Sequence, residues 1–132
     1  MKKLILLLLL VGLVAIAYYA KPANKEIFTE FYPGTAAEIS SLYMLDGRTG
    51  HNYTTQDEPK IDQFLQLMNS LTFTMKKNQS PRTGYLYFVD LFQGETKVLR
   101  VTFAGDIQID ETYYRVDRDV MEDLDSFYDS LK

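Results

Sequence analysis

Few side chains in this 132-residue chain are of a kind that does chemistry unaided. His51 is the single histidine and there is no cysteine, so histidine metal clusters, zinc–thiolate sites and thiol nucleophiles are ruled out. A serine triad would need His51 beside both a serine and a carboxylate. It stands instead at the edge of a turn running from Asp46 to Gly50, where a solvated imidazole is expected. No G-x-S-x-G, phosphate-binding glycine loop, dinucleotide fingerprint or H-E-x-x-H occurs. Carboxylates remain, namely Asp90, Asp106, Asp110 and Glu111. Asp106 and Asp110 flank a short expected strand, and side chains four apart on a strand share a face about 13 Å apart. A glycosidase pair stands closer than that, and the turn preference of aspartate accounts for both positions.

Asp90 is different. It interrupts an apolar strand on the side shared by Leu86, Phe88 and Phe92, so it requires a partner there. Arg100 on the next strand is placed to supply one. The pair Asp90–Arg100 reads either as a structural ion pair or as a buried acid tuned within a cleft. The Asp46 turn has Arg48 and Gly50 where a calcium loop needs further oxygen ligands, so that motif fails. No catalytic residue, metal ligand or cofactor is assigned, and a non-enzymatic role is expected.

The ten tyrosines carry the remaining signal. Tyr43, Tyr53, Tyr85, Tyr87, Tyr113 and Tyr114 all fall on expected strands. A large rigid ring with a polar tip suits contact with a protein or a glycan. The same residue is also a good strand former and cross-strand partner. Tyr43, Tyr85, Tyr87 and Tyr113 are the candidate binding residues.

The elements that must position these groups follow from periodicity. Ile61, Phe64, Leu65, Met68 and Leu71 line one face of a helix, with Lys60, Asp62, Gln63, Gln66 and Asn69 opposite. Asp57 is the expected N-cap, its carboxylate accepting from orphan amides, with Pro59 in the first turn. Strands are expected over Glu38–Leu45, His51–Thr55 and Leu71–Lys76. Tyr85–Phe92 is apolar at almost every position, which predicts a central strand covered on both faces. Lys97–Ala104, Ile107–Ile109 and Tyr113–Val116 complete a meander. A last helix buries Val120, Met121, Leu124, Phe127, Tyr128 and Leu131, leaving Glu122, Asp123, Asp125 and Asp129 outward. The order ββαβββββα predicts an α+β fold: an antiparallel sheet of about six or seven strands with two amphipathic helices, after an N-terminal hydrophobic helix.

The pattern Ser41-Leu42-Tyr43-Met44-Leu45-Asp46-Gly47-Arg48-Thr49-Gly50, then a helix, then Thr83-Gly84-Tyr85-Leu86-Tyr87, resembles small uncharacterised extracytoplasmic domains of Gram-positive bacteria. The resemblance spans most of residues 38–131. It implies an address and a fold, with no catalytic residues to carry over.

Ahead of the domain, Met1-Lys2-Lys3 leads into an uncharged run from Leu4 to Ala20. About 17 residues is the lower limit for a bilayer-spanning helix. Tyr18 and Tyr19 stand where an interfacial aromatic belt forms, and Lys21 follows. Residues 1–20 are expected to form an uncleaved membrane anchor. The alternative is a secretory signal cut near Ala17, since Ala15-Ile16-Ala17 offers a suitable site. No cysteine follows the run to carry a lipid. The basic lead keeps that end in the cytoplasm and sends the remainder outside. Residues 21–35 read as a tether, with Phe28, Phe31 and Tyr32 laid against the domain edge, and 36–132 as one domain.

The formal charge of −4 is uneven: from Gly105 onward nine acidic and three basic residues give −6, and the rest carries +2. An acidic domain argues against a nucleic-acid partner, and no basic cluster occurs beyond Lys76, Lys77 and Arg82. The expected function is a non-catalytic extracytoplasmic binding module contacting an envelope protein or glycan. A carboxylate-dependent envelope hydrolase and an accessory subunit of a membrane complex are the alternatives.

Overall fold

The computed structural model of the protein describes residues 1–19 and 25–132. Eight strands form one sheet: β1 (Lys25–Glu26), β2 (Ser41–Asp46), β3 (Asn52–Thr55), β4 (Phe73–Met75), β5 (Tyr87–Gln93), β6 (Thr96–Phe103), β7 (Ile107–Ile109) and β8 (Thr112–Val116). Every ladder is antiparallel, in the spatial order β1-β4-β8-β7-β6-β5-β2-β3. The helices are α1 (Lys2–Tyr19), α2 (Glu58–Asn69) and α3 (Met121–Ser130). The expected α+β class with an antiparallel sheet is what the chain adopts. The strand count is eight, against the six or seven expected.

The additional strand comes from the segment read as a tether. Lys25 and Glu26 pair with Thr74 and Phe73, and the short 3-10 turn Phe28–Glu30 then drives Phe28 into the core. Phe28 lies 6.4 Å from Phe64 and 6.1 Å from Phe73, ring to ring, and Tyr32 is buried beside it. The packed body therefore takes in residues from Lys25, ahead of the boundary expected at residue 36. Aromatic side chains beside an open apolar core lower the free energy more by packing than by staying in water.

One face of the sheet is covered. Strand alternation sends Leu42 and Met44, Tyr87, Val89 and Leu91, Leu99, Val101 and Phe103, and Ile107 and Ile109 to that side, all buried. Helices α2 and α3 lie over them with Ile61, Phe64, Leu65 and Met68, and with Leu124, Phe127 and Tyr128. The two helices meet at Phe64 and Phe127, whose rings are 5.7 Å apart. Asp57 holds the N-cap position of α2, but its side chain caps nothing. The expected carboxylate cap is thus corrected, and Pro59, which lacks an amide hydrogen, removes one of the donors it would have served. Asp119 accepts from the Met121 amide at 2.9 Å at the start of α3.

The second face carries no helix, so β5 is covered on one side only, contrary to the two-sided burial expected of it. Gly47 shapes this side. A Cβ there would fall 2.5 Å from the Tyr85 carbonyl oxygen and 2.8 Å from its ring, so only glycine admits the chain at Tyr85 against the β2–β3 hairpin. Gly50, at φ +77°, closes the same hairpin in a conformation other residues rarely adopt.

Helix α1 is set apart by its surface. Its large apolar side chains from Leu4 to Ile16 are all more than half exposed. Among the described residues no helix is long and apolar enough to cross a membrane. The expected anchor runs on to Ala20, which with residues 21–24 lies outside the described residues.

Candidate functional site

On the helix-free face, residues directly opposite one another across the ladders gather into a compact group. Tyr43 of β2 faces Asp90 of β5, and Asp90 faces Arg100 of β6. Phe88 and Phe92 share this side with Asp90, and Thr54 of β3 faces Tyr43. The Asp90 side chain is only 6% exposed, against 41% for Arg100. Arg100 grips Asp90 with two hydrogen bonds, Nε to Oδ1 at 2.7 Å and Nη2 to Oδ2 at 2.9 Å. That two-pronged contact pushes the guanidinium ionisation above the ordinary arginine value. The Arg100 guanidinium also lies 4.0 Å above the Phe88 ring. Tyr43 and Tyr85 pack on Phe88 with ring centroids 5.8 and 5.4 Å away. Tyr85 remains exposed.

The result is an aromatic floor around one fixed ion pair. A shallow depression of about 370 Å³ opens beside it, lined by Ser41, Tyr43, Thr54, Asp90 and Phe92. Its walls offer two aromatic rings, three hydroxyls and one carboxylate. Such a surface can stack against a flat apolar ring and exchange hydrogen bonds at its rim. Both oxygens of its carboxylate are already bonded by Arg100.

Comparison with protein-family models, with curated proteins and with solved structures yields no match to this chain. The site's chemistry therefore has to be read from its own residues.

Of the four tyrosines expected to bind, the structure brings Tyr43 and Tyr85 together and sends the other two elsewhere. Tyr87 points into the covered face and is 1% exposed. Its hydroxyl donates to Asp125 Oδ1 at 2.5 Å and accepts from Arg48 Nη2 at 2.6 Å. Burial first, then the Asp125 carboxylate, push the Tyr87 hydroxyl well above the ordinary tyrosine value. Tyr113 lies on the helix-free side but is roofed by the loop after β4. Gln79 bonds its backbone N–H and C=O at 2.8 and 2.9 Å, the Arg82 amide donates to its hydroxyl at 3.0 Å, and the Arg82 guanidinium stacks on its ring. Neither ring is presented to a partner.

The other carboxylates do not converge. Asp106 is held by both Lys76 and Arg82. Asp110, at φ 51°, accepts from the Arg100 amide at 3.0 Å as a turn residue. Glu111 and His51 are exposed. A larger cleft of about 440 Å³ lies between the β6–β7 turn and the start of α3. Its two acids, Asp106 and Asp119, are each already engaged, by cations and by the Met121 amide.

Phe92 and Thr54 belong to the depression although the sequence pattern does not mark them as binding residues. Phe92 was legible, since it shares Asp90's side of β5 by simple alternation. Thr54 was not, because its place beside Tyr43 depends on the register of the β2–β3 hairpin.

Proposed function

We propose that this protein is a non-catalytic binding module displayed outside the cytoplasmic membrane, which takes its partner on the helix-free face around Tyr43, Tyr85, Phe88 and the Asp90–Arg100 pair. The observation that carries this reading is the aromatic floor itself: β2, β5 and the stretch before β5 supply its rings, and no element of the described chain covers it. The solvated face of an antiparallel sheet is ordinarily polar, so clustered aromatic rings on it mark a contact surface.

The ligand class that fits is a glycan of the envelope. A sugar ring offers a flat C–H face to Tyr43, Tyr85 or Phe92, while its hydroxyls reach Ser41, Thr54 and the rim of Asp90. A shallow site suits a chain laid along the sheet. Export is supported by the basic lead of α1 and by the exposed apolar surface that follows it, which has the composition of a membrane-directed leader. Helix α1 holds the body at the membrane; processing near Ala17 would release it.

Two measurements test these statements. Full-length protein in mild detergent is incubated with purified insoluble cell-wall glycan and sedimented. Wild type should pellet with the glycan, and Tyr43→Ala and Tyr85→Ala should weaken retention by about ten-fold each, the scale of losing an aromatic anchor. Equal retention of all three would defeat the site, and capture of a protein in place of glycan would defeat the ligand class. Consumption of the glycan would defeat the non-catalytic reading. N-terminal mapping of membrane and medium fractions tells a retained α1 from a cleaved one.

A further inference from the structure

The body of the protein is acidic, yet its cations are not spread evenly. Residues 25–132 hold all 18 acidic side chains and 11 of the 14 basic ones, a net of −7. Arg48, Arg100, Arg118 and Lys132 are each matched to carboxylates in the body. Five of the others, Lys25, Lys76, Lys77, Arg82 and Arg115, lie at the β1–β4–β8 end of the sheet.

Register brings them together. Lys25 of β1 is opposite Thr74 of β4, and Thr74 is opposite Arg115 of β8. Residues opposite one another share a face, so Lys25 and Arg115 flank Thr74 on the helix-free side, about 10 Å apart across two strand spacings. Lys76 follows Thr74 by two residues and keeps to the same side, and its ammonium reaches Asp106 at 2.6 Å. Arg82 binds the same carboxylate. Two cations thus share one acid, while Lys25, Lys77 and Arg115 are exposed and, among the described residues, form no ion pair. Desolvation, with Arg82 and Arg115 close by, pulls the Lys76 ammonium below its ordinary value, as expected where like charges crowd.

This is also the end at which α1 joins the body. Five residues separate Tyr19 from Lys25, and a chain of that length reaches about 20 Å at most. We infer that the basic end of the helix-free face, Lys25 and Arg115 with Lys76 and Arg82, together with Lys77 just beyond β4, docks on anionic phospholipid headgroups at the membrane surface to which the N-terminal segment is proposed to hold the chain. Charge complementarity selects this occupant. The rest of the body is repelled by an anionic surface, so the patch fixes which way it faces and leaves the Tyr43–Asp90 region, farther along the sheet, open to a ligand. The inference rests on α1 holding the chain at a membrane.

The test is lysine footprinting of the full chain in vesicles of phosphatidylcholine alone or with added phosphatidylglycerol. The anionic lipid should slow amine labelling of Lys25 and Lys77 severalfold, leave Lys60 on α2 and Lys97 at the β5–β6 hairpin unchanged, and lose its effect at high salt. Inorganic phosphate added to phosphatidylcholine vesicles should not reproduce the protection. Arg115→Glu should reduce it by about five-fold or more, since each basic residue near such a surface contributes on that scale. Vesicles that carry the protein but give no lipid-dependent protection overturn the docking and leave membrane attachment standing. Failure to float with either vesicle overturns both. Equal protection by free phosphate overturns the lipid as occupant.

Discussion

On the covered face Asp46 is reached by Arg48 from two residues along its own hairpin; on the open face Asp90 is reached by Arg100 from the neighbouring strand. The two carboxylates are almost equally buried, at 8% and 6% side-chain exposure, and their arginines almost equally half-exposed. What differs is what lies beyond each arginine. Arg48 continues to the Tyr87 hydroxyl and to Asp125, so the β2–β3 hairpin, the centre of the sheet and α3 are tied into one network. Arg100 continues only onto the Phe88 ring. The first pair spends its hydrogen-bonding capacity on joining elements of the fold. The second stiffens a surface and hands nothing on. The same chemistry is thus internal in one setting and outward-facing in the other.

That contrast breaks first at Arg48. Arg48→Ala strands the buried Asp46 carboxylate and detaches Asp125, and should cost about 2–3 kcal/mol in urea unfolding, reduced from the full buried-pair value by the solvent around Arg48. Hydrogen exchange should quicken in α3 at the same time. A loss under about 0.5 kcal/mol would mean that the network joins nothing. Arg100→Met should cost somewhat less, about 2 kcal/mol, by leaving Asp90 unpaired. Adding Asp90→Leu to it should recover most of that loss, because a buried ion pair replaced as a unit by apolar groups is often neutral. Glycan retention should stay impaired in this stable double variant. Recovery of retention together with stability would show that the pair plays no part in binding.

Much of this arrangement is legible in the chain and some is not. The stripe Ile61–Phe64–Leu65–Met68 and the alternation through Leu99, Val101 and Phe103 fix helix, strand and buried face, because burial imposes their periods. The Asp90–Arg100 pair follows from the same alternation once β5 and β6 form a hairpin. Strand β1 escapes, since two residues followed by a 3-10 turn have no period to detect. Tyr87 escapes for a sharper reason. Counting by twos from Tyr85 puts both rings on one side, but Tyr85 lies before the strand, in the stretch pressed against Gly47, and β5 begins its own alternation at Tyr87. Asp125 reads as one of several solvated carboxylates on α3, and only the tertiary fold sets it against Arg48. Local order is written in spacing; contacts made across 38 or 77 residues are not.

Acid and alkali probe the covered face, which holds both Asp46 and Tyr114, more gently than substitution does. Burial alone would raise the Asp46 carboxyl, but the Arg48 side chain and backbone N–H hold it below the ordinary carboxylate value of 3.8. A depressed acid stabilises the fold above its unfolded value and loses that contribution as pH falls through the folded one. Stability should therefore decline below about pH 3.8, and Arg48→Ala should flatten this limb. At the other end, burial and then the nearby Glu26 carboxylate push Tyr114 up to about 12 from 10.0. A raised acid contributes fully below its unfolded value and is lost as pH rises through the folded one, so unfolding should set in between pH 10 and 12. Ultraviolet titration of tyrosine ionisation should follow that loss, and full ionisation of the tyrosines below pH 10 would contradict it.

The smallest stability effect is expected at Tyr85, one of the two tyrosines on which the proposed binding rests. Tyr85 is 42% exposed and stands outside both ion-pair networks, so Tyr85→Ala should move the unfolding free energy by no more than about 0.5 kcal/mol. The edge of the Phe88 ring that it uncovers stays shielded by Arg100 and Tyr43. If Tyr85→Ala unfolds the domain instead, its ring is a piece of core that happens to reach the surface, and the open face is the outer skin of a structural layer. If stability holds while ligand retention falls, two properties separate at one residue. That separation is what a binding surface shows and a packing residue does not, because a packing residue acts on its ligand only through the fold.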